Sequence, residues 1–335
     1  MRLAIDICGG AVRGAAFSIG AYQALNELLH SRLDSAECYM GRSSGSVLAS
    51  FLANNIRANR IISGLRKKSV NKKDNFSWEV LFGKGAKAKL RHLLGNPLKG
   101  YFSLKGLEEY VRKELSTYAS NSFQELEKEL IISAVELQTG KRKLFDNSTI
   151  ETPISEAVIA SCGFPVLFRL PEIDGKTYAD GAISSTTTAD AALERGYDMA
   201  IVINPARNMN SNLRKISSFW DIGEQVVRTI LHESALRELR LTAKAYPGKA
   251  IFLIEPDEAD DFVSKGSFSF WGIDKAIDHG RERVFRIFED HWDVLYEYFG
   301  DRGIKMYNRS LSTLFMDRGK NYRHTPTRLD DIVIA

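Results

Sequence analysis

Cysteine is scarce in this chain. Cys8, Cys38 and Cys162 stand far apart in 335 residues, with no C-x-x-C and no Cys–His pair at ligand spacing. That argues against a disulfide scaffold and against a structural zinc site, and no metal or cofactor is expected. Proline is limited to 8 positions, too few for a polyproline or low-complexity chain. Long apolar runs are also missing. The longest charge-free stretches, 14–26 and 43–56, fall short of the ~18–20 apolar residues needed to span a bilayer. The first seven residues are a short apolar stretch that already carries Arg2 and Asp6, unlike a signal peptide, so the expectation is a cytoplasmic protein.

Hydrophobic residues at 44% and charged residues at 26% give the balance of a folded protein with a real core, which sets disorder aside. The formal net charge of +4 hides an asymmetry. Residues 57–105 hold thirteen Lys and Arg against two acids, Asp74 and Glu79, so the remainder is acidic. Such a segment suits an anionic partner, a membrane surface or nucleic acid, unless it is only a solvated face.

The pattern along the chain alternates strand and helix. Residues 3–7 read as a buried strand, 8–14 as a glycine-rich turn and 15–33 as a helix. A second strand near 38–40 runs through a short loop into a helical stripe at Val47, Leu48, Phe51, Leu52 and Ile56. Later strands are expected at 130–137, 143–145, 166–170, 176–179, 199–203 and 250–254. Further helices are expected at 104–115, at 189–195, at 219–245, at 273–298 and from Pro153 to about Cys162 with Thr152 as N-cap. The pair 166–170 and 176–179 flanks Ile173, Asp174 and Gly175, a hairpin turn. Repeated βα steps argue for an α/β fold with a mostly parallel central sheet covered by helices. Residues 57–105, where basic side chains mix with Phe76, Trp78, Phe82, Tyr101 and Phe102, read as a helical cover, and 316–335 as a loosely docked tail.

Three constellations can do chemistry. Gly41-x-Ser43-x-Gly45 fits a nucleophile elbow, in which glycines let a strand turn sharply into a helix and present a serine hydroxyl. The pentapeptide is weak alone and gains meaning from the strand before it and the helix after it, the alternative being an ordinary helix N-cap serine. Gly9, Gly10, Ala11, Val12, Arg13 and Gly14 join a strand to a helix, where backbone N–H groups can face an oxyanion or a phosphate. The loop lacks the spacing of G-x-G-x-x-G and the lysine of a P-loop. Asp180-Gly181-Ala182 supplies an acid. The six histidines, His30, His92, His232, His279, His291 and His324, stand in helical patterns or in the tail and read as structural or surface residues.

Together these motifs resemble the patatin-like phospholipase family: a glycine-rich loop with a basic residue, Arg13, then G-x-S-x-G, then Asp-Gly-Ala, in that order. Tyr101-Phe102-Ser103-Leu104, the Ala-Ser-Cys-x-x-Pro run 160–165, and Tyr178-Ala179-Asp180-Gly181 resemble bacterial members. One departure stands out: Ala11 occupies the place of the third consecutive glycine. The resemblance covers about residues 2–290. It implies a three-layer α/β/α acyl hydrolase domain over 1–290, with 57–105 as a basic, aromatic-rich lid, followed by a helical extension and tail over 291–335.

The resemblance further implies a carboxylic ester hydrolase acting on fatty-acyl esters of lipids, phospholipase A-like or lysophospholipase-like. Ser43 is then the nucleophile and Asp180 the general base of a dyad without histidine. Gly9, Gly10, Ala11, Val12, Arg13 and Gly14 form the oxyanion region, and Gly41, Gly45, Gly181 and Ala182 support the motifs. The expected partners are a lipid substrate and, peripherally, an anionic membrane, with no nucleic acid. Two alternatives stay open: a catalytically weak regulatory or lipid-binding patatin fold, and a nucleotide- or nucleic-acid-binding α/β module.

Overall fold

Four of the strands are buried at every residue, so they must be covered on both faces, as strands of parallel sheets are. In chain order the elements are β1 (Leu3–Ile7), α1 (Ala11–Leu28), β2 (Cys38–Gly41), α2 (Ser44–Ala53), α3 (Ala58–Leu65), α4 (Trp78–Phe82), α5 (Lys105–Tyr118), β3 (Glu129–Glu136) and β4 (Lys141–Phe145). After these come α6 (Ile154–Cys162), β5 (Glu172–Ile173), β6 (Lys176–Asp180), α7 (Ala189–Glu194), β7 (Met199–Ile203), α8 (Phe219–Ala245), β8 (Ala250–Ile254), α9 (Ile273–Gly300) and β9 (Val333–Ile334). This computed structural model describes residues 1–66, 76–82, 102–149, 151–165, 167–207, 219–257, 270–307 and 328–334. Most of the expected lid, with Lys67, Lys68, Lys72 and Lys73, lies outside the described residues. The chain divides into two compact units, Met1–Glu37 with Thr186–Ala335, and Cys38–Ser185.

In the first unit β1, β7 and β8 run parallel, with Ile5 opposite Ile201 and Ile201 opposite Phe252. Side chains alternate between faces along each strand. Ala200, Val202, Ile251 and Leu253 pack under Leu193 of α7 and Leu239 and Ala243 of α8. Phe252, in the opposite phase, meets Phe288 and Phe299 of α9 at 6.3 and 5.2 Å between ring centroids. Helices therefore cover both faces, the three-layer arrangement expected. Helices α1 and α9 touch backbone to backbone, because a Cβ on Gly20 would run into the Ile277 carbonyl and one on Gly280 into the Phe17 carbonyl. The expected boundary at 290–291 falls inside α9, whose backbone leaves helical geometry at His291 (φ −130°, ψ 30°).

The second unit is built on β3. It pairs in parallel with β2, Gly41 lying opposite Ile132, and antiparallel with β6, Asp180 lying opposite Ala134. It also pairs antiparallel with β4, Phe145 opposite Ile132 and Lys143 opposite Ala134. A strand has only two edges. Since β4 occupies one edge at both Ile132 and Ala134, β2 and β6 must share the other, end to end. Their C-terminal ends meet on either side of Ser133.

Some local details differ from the sequence reading. Helix α1 begins at Ala11, so the helix takes in most of the glycine-rich turn. The N-cap of α6 is Pro153 rather than Thr152, with extended backbone (φ −60°, ψ 151°). The hairpin forms at Asp174 and Gly175 (φ 49° and 73°), but its first strand is β5, nearer the turn than 166–170; Phe168 makes only an isolated bridge to Phe102. The end of the tail is better tied than expected, because β9 pairs antiparallel with β8 and Ile334 is buried.

The helix contact gives a stability test. Gly20→Ala and Gly280→Ala should each cost about 1–3 kcal/mol by overpacking, read from chemical denaturation. Gly223→Ala in α8, where a Cβ meets nothing within 4 Å, should instead stabilise by about 0.5–1 kcal/mol.

Candidate active site

Strand β2 passes into helix α2 with two residues between them, Arg42 and Ser43. Such a reversal forces Ser43 to φ 50°, ψ −136°, close to the first central position of a type II′ turn, where glycine is the usual residue. Holding a serine there costs on the order of 1–3 kcal/mol, so the surroundings must hold it. Gly41 makes the turn sterically feasible: a Cβ there would stand 2.5 Å from the Gly45 carbonyl oxygen and 2.8 Å from Ser46 Cα. The Ser43 N–H donates to Ser161 Oγ at 2.8 Å, and its carbonyl accepts from Ser46 N at 3.0 Å and from Ser46 Oγ at 2.6 Å.

Asp180 is the last residue of β6 and is 2% exposed. Its carboxylate accepts from Ala182 N at 3.0 Å, and the Ser43 side chain is near enough to hold its pKa down. Its own N–H donates to the Gly163 carbonyl at 3.0 Å. Burial raises the pKa of Asp180 above the ordinary carboxylate value; the Ala182 hydrogen bond, the Ser43 side chain and the charge of buried Arg42 oppose that rise without cancelling it. The same dryness, with the Asp180 charge, pushes up the buried Cys162 thiol. Ser43 and Asp180, 137 positions apart in sequence, thus stand close enough to interact in a desolvated setting. A hydroxyl beside a carboxylate of raised basicity can transfer its proton there as it attacks an electrophile.

The glycine-rich loop belongs to the other unit. Gly10 caps α1, and a Cβ on it would stand 2.6 Å from Pro205 Cγ. Ala11 has φ 52°, a left-handed conformation that glycine adopts at little cost and that costs an L-residue ~1–2 kcal/mol. The departure at Ala11 is therefore a conformational one. Gly14 N–H closes the first helical turn on the Gly10 carbonyl at 2.9 Å. Arg13 is 5% exposed and donates from Nη2 to the Trp271 carbonyl at 3.1 Å, which ties the first turn of α1 to the residues just before α9.

The histidines that are described take structural positions. Buried His232 lies 3.2 Å from Glu255 through Nε2, His279 is buried, and His30 stacks on Tyr307 at 3.7 Å. His92 and His324 lie outside the described residues. Among the described residues no group of three or more His, Cys, Asp and Glu side chains could hold a metal ion, and no helix is long and apolar enough to cross a membrane. The supports missed in the sequence reading are Ser161, Ser46 and Gly163. Ser161 and Gly163 lie in the Ala-Ser-Cys-x-x-Pro run, a visible signal with no visible role.

Because folding makes the Asp180 proton harder to lose, stability falls as pH rises from below the unfolded carboxyl's pKa through the folded one. Asp180→Asn keeps an acceptor for Ala182 N–H and removes the buried charge. Its melting temperature should exceed that of the wild type at pH 7, and the gap should close in acid; a lower melting temperature at pH 7 would contradict the burial assigned to this carboxylate.

A sequence profile of the patatin-like phospholipase family matches residues 7–193, which include Ser43, Asp180 and the glycine-rich loop. Among solved structures, VipD from Legionella pneumophila is similar at 15% identity and a TM-score of 0.41, covering 86% of this chain and 66% of that one. The type III effector protein ExoU is similar at 14% identity and a TM-score of 0.33, covering 84% of this chain and 53% of that one. The chain spans less than two thirds of the length of either. The family profile takes in more than half of the 335 residues, with the Ser43 elbow and the Asp180 strand end inside it, and the chain belongs to the patatin-like phospholipase family.

Proposed function

We propose that this chain is a serine acyl hydrolase that cleaves fatty-acyl esters of lipids, as a phospholipase A or lysophospholipase does, through an acyl-enzyme on Ser43 with Asp180 as base. The family is one of lipid hydrolases, and the observation that carries the finer reading is the strained strand-to-helix turn that sets the Ser43 side chain beside the buried Asp180 carboxylate. Ser43 Oγ attacks the ester carbonyl carbon while its proton passes to the Asp180 carboxylate. Collapse of the tetrahedral adduct breaks the bond to the alcohol oxygen, which takes that proton from Asp180. Water then attacks the acyl-enzyme, giving one proton to Asp180; the fatty acid leaves as the bond between the acyl carbon and Ser43 Oγ breaks and Oγ recovers the proton. No cofactor enters the balance.

The oxyanion region proposed is the loop Gly9, Gly10, Ala11, Val12, Arg13 and Gly14. Supporting it, the first residues of a helix have N–H groups without intrahelical acceptors, and Ala11 and Val12 hold those places in α1. The strained Ala11 favours one second reading, a patatin fold of low turnover that binds lipid. Peripheral contact with an anionic lipid surface is part of the proposal. The outward side of α8 carries Ile222, Val226 and Ile230, 55%, 51% and 59% exposed, followed by exposed Arg237, Arg240 and Lys244, an apolar stripe continued by cations.

With chelator present, wild type should release fatty acid from mixed phospholipid vesicles, and Ser43→Ala and Asp180→Asn should each lose at least about a thousandfold in turnover. Retained activity in either variant would remove the dyad. The acid limb of kcat/KM should fall above the ordinary aspartate range, since the base must be ionised and burial raises its pKa. Ile230→Asp with Val226→Asp should weaken sedimentation with phosphatidylserine vesicles while hydrolysis of a short soluble ester is kept; unchanged sedimentation would refute the α8 contact.

A further inference from the structure

The C-terminal end of α6 touches both members of the Ser43–Asp180 pair. Ser161 is fully buried; its hydroxyl donates to the Ser133 carbonyl at 2.6 Å, which commits its one proton and leaves its oxygen to accept from Ser43 N–H at 2.8 Å. Cys162 Sγ lies 3.9 Å from Ser46 Oγ, the hydroxyl that holds the Ser43 carbonyl. Gly163 accepts the Asp180 N–H at 3.0 Å. Three consecutive residues therefore reach the backbone on one side of the serine, the group bracing its other side, and the backbone of the acid.

We infer that residues 161–163 form a positioning element for the dyad, with Ser161 as the positioning residue that keeps Ser43 in its strained rotation. The inference rests on the reading of Ser43 as nucleophile. The Ser43 N–H is bonded to Ser161, so this donor is spent on orientation rather than on substrate. Removing the Ser161 hydroxyl leaves the part-buried Ser43 N–H and the buried Ser133 C=O without the acceptor and donor it supplied, and the cheapest repair is rotation of the Ser43 peptide toward an ordinary conformation. Such a rotation swings Oγ away from Asp180 and from the attack line, an error that catalysis feels more than folding does.

The test compares Ser161→Ala with Ser155→Ala, another buried serine of α6, whose hydroxyl bonds Glu108 at 2.9 Å. The readings are kcat and KM on a short-chain p-nitrophenyl ester, the rate of fluorophosphonate labelling of Ser43, and melting temperature. Ser161→Ala should lose roughly 10- to 100-fold in kcat and in labelling rate with KM unchanged. Ser155→Ala should keep both rates whatever its melting temperature. Should Ser161→Ala fail to fold, Ser161→Cys keeps the volume with a weak acceptor and should show the same kcat-selective loss. Wild-type kcat and labelling in a folded Ser161 variant would overturn the inference. A wild type that hydrolyses the ester unlabelled, with Ser43→Ala equally active, would overturn the nucleophile reading and this inference with it.

Discussion

One edge of β3 has to receive two strands that run in opposite directions. β2 arrives parallel and stops opposite Ile132; β6 arrives antiparallel and stops opposite Ala134, while β4 fills the far edge. Two strand ends pointed at each other leave a gap one residue long, at Ser133, so both chains must turn out of the sheet there. Beyond β2 the turn is the Ser43 elbow, and beyond β6 it is the Asp180 turn. The meeting of serine and acid is thus a consequence of strand register, and a slip of one residue in either pairing would carry the pair to opposite faces of the sheet.

The conflict at that junction is between strain and burial. Ser43 sits in a conformation that serine disfavours, and Asp180 carries a carboxylate where water is scarce. Each is tolerated because fixed donors and acceptors surround it: Ser161 and Ser46 on the serine backbone, Ala182, Ser43 and Arg42 on the acid. A dry carboxylate binds its proton more tightly than one in water. The same dryness destabilises the fold.

The glycine-rich loop shows how one methyl group alters the balance. Helix α1 starts at Ala11, at the expense of a left-handed backbone for that residue. Arg13 is drawn inward to the Trp271 carbonyl, so its charge is anchored in the fold rather than displayed on the surface.

Most of the βα order was legible from local sequence, because apolar runs such as 199–203 and 250–254 and the helical spacing of 219–245 and 273–298 depend on near neighbours. The identities of Ser43 and Asp180 were legible as motifs, and Gly41 as the glycine that a tight turn demands. Less was visible where contacts span long separations. The pairing of Glu172 rather than 166–170 with β6, the seating of Ile334 beside β8, and the work of Ser161 and Gly163 all depend on partners remote in sequence. The amino-acid sequence by itself determined which residues can turn, which can ionise and which must be buried, because those are properties of side chains and their immediate spacing. Only the tertiary structure decided that β2 and β6 end head to head on β3, and hence that Ser43 meets Asp180, because register is set by the sum of packing across the whole sheet.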